Sequence, residues 1–276
     1  MYENNFEIKK EAYKNYLVRK ELNCKTISKY LKDVERFYLF LEDRTVDFNA
    51  VSEYKMYLTG TYKSSTVNSY LISLNCYWRW MNMDDLCVSL IKRQRTYFSS
   101  AELTLNDYRK MIEFAEENNE TKWYLVMRCL GAMGIRVGEL KFITYEAVLS
   151  GYAEILFKAK LRTILIPEKL QRRLLYYCEN ENIYSGAVFL NKHKTMPLDS
   201  SVIWRNLKRI AEESGADKSA VYPHNFRHMF ARAYMNTYHN IVELADILGH
   251  SSIETTRIYT KASKETQRGR LDSLGL

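Results

Sequence analysis

Between Pro223 and Thr260 the chain reads PHNFRHMFARAYMNTYHNIVELADILGHSSIETTRIYT. His224 and Arg227 stand three positions apart, Gly249 precedes His250, and Tyr259 follows nine residues later. Singly these residues say little, since the chain holds 22 tyrosines. Together they are the groups needed to grip and attack a phosphodiester. Cationic and hydrogen-bonding side chains neutralise phosphate oxygens, and a tyrosine hydroxyl can serve as nucleophile. A phenol with a pKa of about 10 attacks poorly near neutrality unless cations favour its ionised form. A departing alkoxide is worse still and needs a proton from a placed acid. No acidic metal cage or Gly-rich phosphate loop is visible in the sequence, so side-chain cations must meet the charge.

Those groups need seats. Leu248-Gly249 reads as a helix end with glycine just past it. Ser251, with Glu254 three positions on, reads as the capping box of a further helix. That spacing places His250 in a tight turn and Tyr259 about two turns into the following helix. Upstream, GIRVGEL (Gly134–Leu140) follows an apolar helix at 122–133. Arg136 is expected where a short helix begins, with its guanidinium and backbone N–H groups converging on one anion. Residues 152–167, YAEILFKAKLRTILIP, give the clearest β signal, two β-rich runs about a basic tip at Lys158-Ala159-Lys160. Further helices are expected at 105–118, 167–179 and 200–214. His228 and His239 read as structural.

Residues 1–98 read as an all-helical bundle. The expected helices lie at Phe6–Leu22, from a cap at Thr26 or Ser28 through Leu41, at Ser52–Leu58 and at Ser65–Asn82. Lys25, Lys29, Lys32, Lys55, Lys63 and Arg79 offer a row of cations along it. Residues 92–104 carry a basic run and then a small polar cluster; the linker itself is set at 99–104, with Thr104 opening a fresh helix and Asp107 near its N3 position. Residues 105–276 form the second domain, mainly α with a small β-sheet. Residues 1–98 carry 16 Lys+Arg against 12 Asp+Glu, and the net charge of the whole chain is +8. The excess is therefore shared by both parts, as expected if both touch one polyanion. Five scattered cysteines without C-x-x-C spacing read as free thiols of a reducing cytoplasm. No run approaches the roughly 18 apolar residues of a membrane span, which points to a cytoplasmic protein.

GIRVGEL, the KAKLR hairpin, HNFRH, LGHSS and TTRIYT, in that order, resemble the tyrosine recombinase (phage integrase) family. The 6–98 segment is similar in size and helical character to that family's core-binding domain, and no additional amino-terminal arm-site domain is expected. The resemblance implies that Arg136 and Arg227 clamp the non-bridging oxygens of a scissile phosphate. It implies that His224 hydrogen-bonds the phosphate or helps take the tyrosine proton, and that His250 donates beside Arg227. Lys158 would protonate the departing 5′ oxygen, with Lys160 as the alternative because both stand at the hairpin tip. Ala159 replaces the glycine of the family's Lys-Gly-x-Lys type of turn. Tyr259 would attack to leave a 3′-phosphotyrosine, and Glu139 matches an acidic position that braces the site. The implied activity is site-specific DNA recombination without metal or cofactor, in a tetramer on double-stranded recombination sites, with accessory directionality or bending proteins. Relaxation of DNA in the manner of a type IB topoisomerase, and DNA binding without catalysis, are the competing readings.

Overall fold

The computed structural model describes residues 6–42, 44–92, 102–157, 160–250, 252–259, 269, 272 and 273. The chain divides into two compact units, Met1–Phe98 and Ser99–Leu276. Of the expected linker, residues 99–101 lie outside those described.

The first unit packs α1 (Phe6–Arg19), α2 (Cys24–Leu41), α3 (Phe48–Thr61) and α4 (Ser64–Trp80) around one core. Tyr13, Leu17, Val34, Phe37, Tyr54, Leu58, Leu71 and Trp78 are its buried members. Helices of this length are marginal alone, so burial at ~1.5–3 kcal/mol per large apolar side chain holds them. The cap of α2 is neither Thr26 nor Ser28. Asn23 takes that place and its side chain accepts from the Thr26 N–H, because the helix already begins at Cys24, which puts Thr26 and Ser28 inside it, and a cap must precede the first turn. Asp47 caps α3 in the same way, and the helix starts at Phe48, four residues before the expected Ser52. The six basic side chains expected along the bundle are not equivalent. Lys29 is tied to buried Asp33 and to Ser73, and Lys55 donates to the Ser89 carbonyl at 2.8 Å. Lys25, Lys32 and Lys63 are exposed.

The second unit is built on α6 (Thr121–Met133), whose Leu125, Val126, Met127, Cys129 and Leu130 are all buried. Around it pack α5 (Leu105–Glu117), α8 (Glu168–Glu181), α9 (Ser200–Glu213) and α10 (Pro223–Tyr238). Thr104 caps α5 by accepting from the Asp107 N–H. A 3₁₀ turn, Val137–Phe142, and α7 (Tyr145–Ser150) lead into an antiparallel hairpin of β1 (Tyr152–Phe157) and β2 (Lys160–Leu165). Its register runs from Tyr152↔Leu165 to Phe157↔Lys160. Two strands alone are marginal in water. Here Ala153, Ile155 and Ile164 turn inward while Tyr152 and Leu165 face out, the period-2 alternation that seats a hairpin on a core. The chain continues through α11 (Ile241–Leu248) and two 3₁₀ turns, Ile253–Thr255 and Arg257–Tyr259. Among the described residues no helix is long and apolar enough to cross a membrane.

Candidate active site

Pro223 opens α10, where its missing N–H costs nothing. The first turn then presents His224, Arg227 and His228 on one face, since positions three and four apart are neighbours. Arg227 is 1% exposed, yet it is well satisfied. Its Nη1 donates to the Gly134 carbonyl at 2.8 Å and its Nη2 to the Leu248 carbonyl at 2.5 Å. Both acceptors lie at C-terminal helix ends, of α6 and of α11, where carbonyls lack intrahelical donors and the helix dipole is negative. A guanidinium has five N–H donors, so two such bonds anchor Arg227 and leave donors for an anion.

Glycine is required at both of those helix ends. Gly134 has φ +59° and a Cβ there would stand 2.3 Å from Phe230 Cδ1. Gly249 has φ +62° and a Cβ would stand 2.5 Å from Arg162 Cδ. The backbone of both loops thus passes close against the side chains that line the site.

Arg136 precedes the Val137–Phe142 turn as expected, but the anion seat foreseen at that helix start is already filled. The buried Glu139 carboxylate accepts from the Arg136 backbone N–H at 2.8 Å and from Arg136 Nη1 at 2.9 Å. A carboxylate three residues into a turn reaches back to its first donor more readily than any external ion. The Arg136 side chain stays about one-third exposed (34%), so its guanidinium faces the cleft. Arg162, which the sequence reading passed over, completes the arrangement. Its Nη1 donates to both Glu139 oxygens at 3.0 Å, and its Nη2 to the Ile247 carbonyl at 2.5 Å. One buried carboxylate therefore holds the arginine of the cleft and ties it to the hairpin and to the end of α11.

Beyond Gly249, His250 places Nδ1 2.8 Å from the hydroxyl of buried Thr256. The helix expected after His250 is not formed. Ser251 lies outside the described residues, and Ser252 accepts from the Glu254 N–H at 3.2 Å to start the first of the two 3₁₀ turns. Tyr259 closes the second turn, a tighter seat than two turns of α-helix. Its ring packs against the small apolar cluster whose buried members are Ala231, Met235, Leu244 and Leu248. Its hydroxyl lies 2.5 Å from His228 Nδ1. His228, which the sequence places as a structural residue, touches the tyrosine, and its ring lies perpendicular to that of His224 with centroids 4.5 Å apart. Lys158 lies outside the described residues. Lys160 opens β2, its backbone paired with Phe157.

The electrostatics follow from this crowding. Burial, then Arg136 and Arg162, push Arg227 down to about 10, still cationic near neutrality. Burial, then Arg227, Arg136 and Arg162, push His250 down to about 4. His228 is also pushed down to about 4, by burial, then by His224 and Arg227, and His224 is lowered by desolvation with Arg227 and Arg136 behind it. Burial raises Tyr259, while Arg227 and Arg232 oppose it. Burial is the leading cause at each histidine, and the neighbouring cationic groups add to it. A cleft of about 1020 Å³, bordered by Arg136, Glu139, Arg162, Gly249, His250 and Thr255, opens beside these groups. Among the described residues no cluster of His, Cys, Asp and Glu is set to hold a metal ion.

Residues 101–266 match the model of the Phage integrase family. A tyrosine recombinase XerC of Pediococcus pentosaceus is 26% identical over 92% of this chain and 93% of that protein. A tyrosine recombinase XerA of Thermococcus kodakarensis is 25% identical over 94% of this chain and 92% of that protein. Among solved structures, a lambda integrase dimer bound to a core site superposes with a TM-score of 0.71 at 18% identity, covering 92% of this chain and 94% of that one.

Proposed function

The chain belongs to the phage integrase family, and from that premise we propose how its own residues carry the reaction. It is a site-specific DNA recombinase, an enzyme that cuts and rejoins DNA strands. Arg136 and Arg227 take the non-bridging oxygens of the scissile phosphate, whose charge concentrates in the transition state. His224 and His250 donate to the same oxygens. Tyr259 attacks phosphorus and forms a 3′-phosphotyrosine, which stores the energy of the broken strand for rejoining. The hairpin lysine, Lys158 or its neighbour Lys160, protonates the departing 5′ oxygen. Glu139 supports Arg136 rather than touching DNA.

The single observation that carries this reading is that Tyr259, from the last 3₁₀ turn, meets the face of α10 that bears Arg227 and His228, in a cationic field that also reaches His250. The unit before residue 99 acts as the core-binding half of a clamp on duplex DNA, with exposed Lys25, Lys32 and Lys63 supplying phosphate contacts. Four protomers assemble on paired sites, helped by accessory bending or directionality proteins, in the cytoplasm. Type IB relaxation and catalytically silent binding are not favoured.

The test is a nicked suicide substrate incubated with full-length protein and then denatured in detergent. The wild type leaves a covalent protein–DNA adduct, and Tyr259→Phe leaves none while binding the same DNA with unchanged affinity. An adduct from the Phe variant overturns the assignment of the nucleophile. Relaxed circles from any plasmid, in place of site-dependent joined products, would restore the topoisomerase reading.

A further inference from the structure

Tyr259 rests on His228, a histidine given no chemical step so far. Tyr259 Oη lies 2.5 Å from His228 Nδ1, so the phenol oxygen and a ring nitrogen are in direct contact. His250 has its Nδ1 occupied by the Thr256 hydroxyl. His224 packs perpendicular to the His228 ring. Resting on the recombinase reading, we propose that His228 is the base that takes the Tyr259 proton when the phenol attacks, and returns it when the strand is rejoined.

The step balances without a further reagent. The Oη–H bond breaks and its proton moves to Nδ1 as Oη bonds to phosphorus. The P–O5′ bond breaks, and the 5′ oxygen takes its proton from the hairpin lysine. In the reverse step the 5′ hydroxyl attacks, the lysine recovers its proton, and His228 gives its proton back to the leaving phenolate. For Nδ1 to accept, the neutral ring must carry its proton on Nε2. The surroundings keep the ring neutral at rest, because burial, His224 and Arg227 all oppose protonation.

The same surroundings make the device conditional. In the free protein His228 is a weak base, and burial holds the Tyr259 proton in place. A docked phosphodiester brings one negative charge against Arg227 and Arg136. It offsets the field that opposes an imidazolium, so the base strengthens when the substrate phosphate is present. The groups bearing on the ring are His224 and Arg227 from its own helix and Tyr259 from the last 3₁₀ turn.

The experiment compares single-turnover cleavage of the suicide substrate by wild type, His228→Ala and His228→Asn, each checked for melting temperature and DNA affinity. Asparagine keeps an acceptor near the Nδ1 position but cannot hold the proton. Both variants are expected to cleave roughly 10²- to 10⁴-fold more slowly. Placing a polyfluorinated tyrosine at position 259, whose phenol ionises near neutrality, is expected to restore about tenfold or more of the loss in His228→Asn. A His228→Asn variant at near-normal rate would show that the ring only positions the phenol. Loss of rate without rescue by the fluorinated phenol would assign His228 to folding or docking, and overturns the proposal as well. Absence of any adduct from the wild type removes the recombinase reading itself, an outcome separate from both.

Discussion

Glu139→Gln is the substitution that best probes how the site is built. It changes one atom and deletes one charge. The carboxylate is 3% exposed and its two oxygens receive the Arg136 N–H, Arg136 Nη1 and Arg162 Nη1. A glutamine offers one oxygen and one NH₂, so an amide donor must face a donor already present. It also leaves Arg162, 10% exposed at its side chain, as a buried cation with no counter-charge. Removing one partner of a buried pair costs about 3–5 kcal/mol. For a domain of this size each kcal/mol moves the melting temperature by roughly 2–4 °C, so calorimetry on the full chain should show a drop of roughly 6–20 °C in the transition of the second unit. Cleavage should fall at least about 10²-fold, since Arg136 loses the support that aims it. The double variant Glu139→Gln/Arg162→Met removes both charges and should recover part of the stability, a coupling of about 0.5–3 kcal/mol, but none of the cleavage rate. A Glu139→Gln protein melting within about 1 kcal/mol of wild type would refute the claim that this carboxylate holds the two arginines.

Gly249→Ala should destabilise by about 1–2 kcal/mol from the left-handed backbone alone, and should slow cleavage further by driving Arg162 off the Ile247 carbonyl; unchanged melting and cleavage would show that the loop yields freely. Acid should weaken the fold before it protonates the carboxylates. His228 and His250 stay neutral in the folded chain down to about pH 4, while the unfolded chain takes up protons below its ordinary value of about 6.5. The unfolded state then binds more protons, so stability is full above about pH 6.5 and is lost as pH falls toward 4; a melting temperature flat across that window, or a slope unchanged when both histidines become asparagine, would contradict it. Lys158→Ala should slow cleavage of a normal 5′-oxygen substrate and be rescued by a 5′-thiolate leaving group, which needs no proton. Rescue confined to Lys160→Ala would move the acid to that residue.

The residues proposed to meet the phosphate were legible because their relations are local or ordered along the chain. His224 and Arg227 share one helical turn, and Gly249 ends a helix at φ +62°, as its place after Leu248 required. What escaped was the set of residues that hold them, since burial pairs them across long intervals. Arg162 meets Glu139 across 23 positions and Ile247 across 85, and no local pattern joins those residues. A signal was nevertheless present. Arg162 shares the parity of Ile164 and Ile166, both buried, so the alternation that found the hairpin also placed a cation on its inward face. A cation there must have a counter-charge, and the only acidic residue in the motif facing it, Glu139, had already been singled out as a brace. His228 was legible in the same sense, four positions from His224 and next to Arg227, on the face that must look toward the phosphate. The run from His250 to Tyr259 was misread for a different reason. Ser252 and Glu254 start a turn, but Thr256 spends its hydroxyl on His250 and is fully buried, which pulls the backbone into two 3₁₀ turns where capping signals alone predict an α-helix. Propensity gave way there to a tertiary contact, and Tyr259, the proposed nucleophile, is held by its neighbours instead of by a helix of its own.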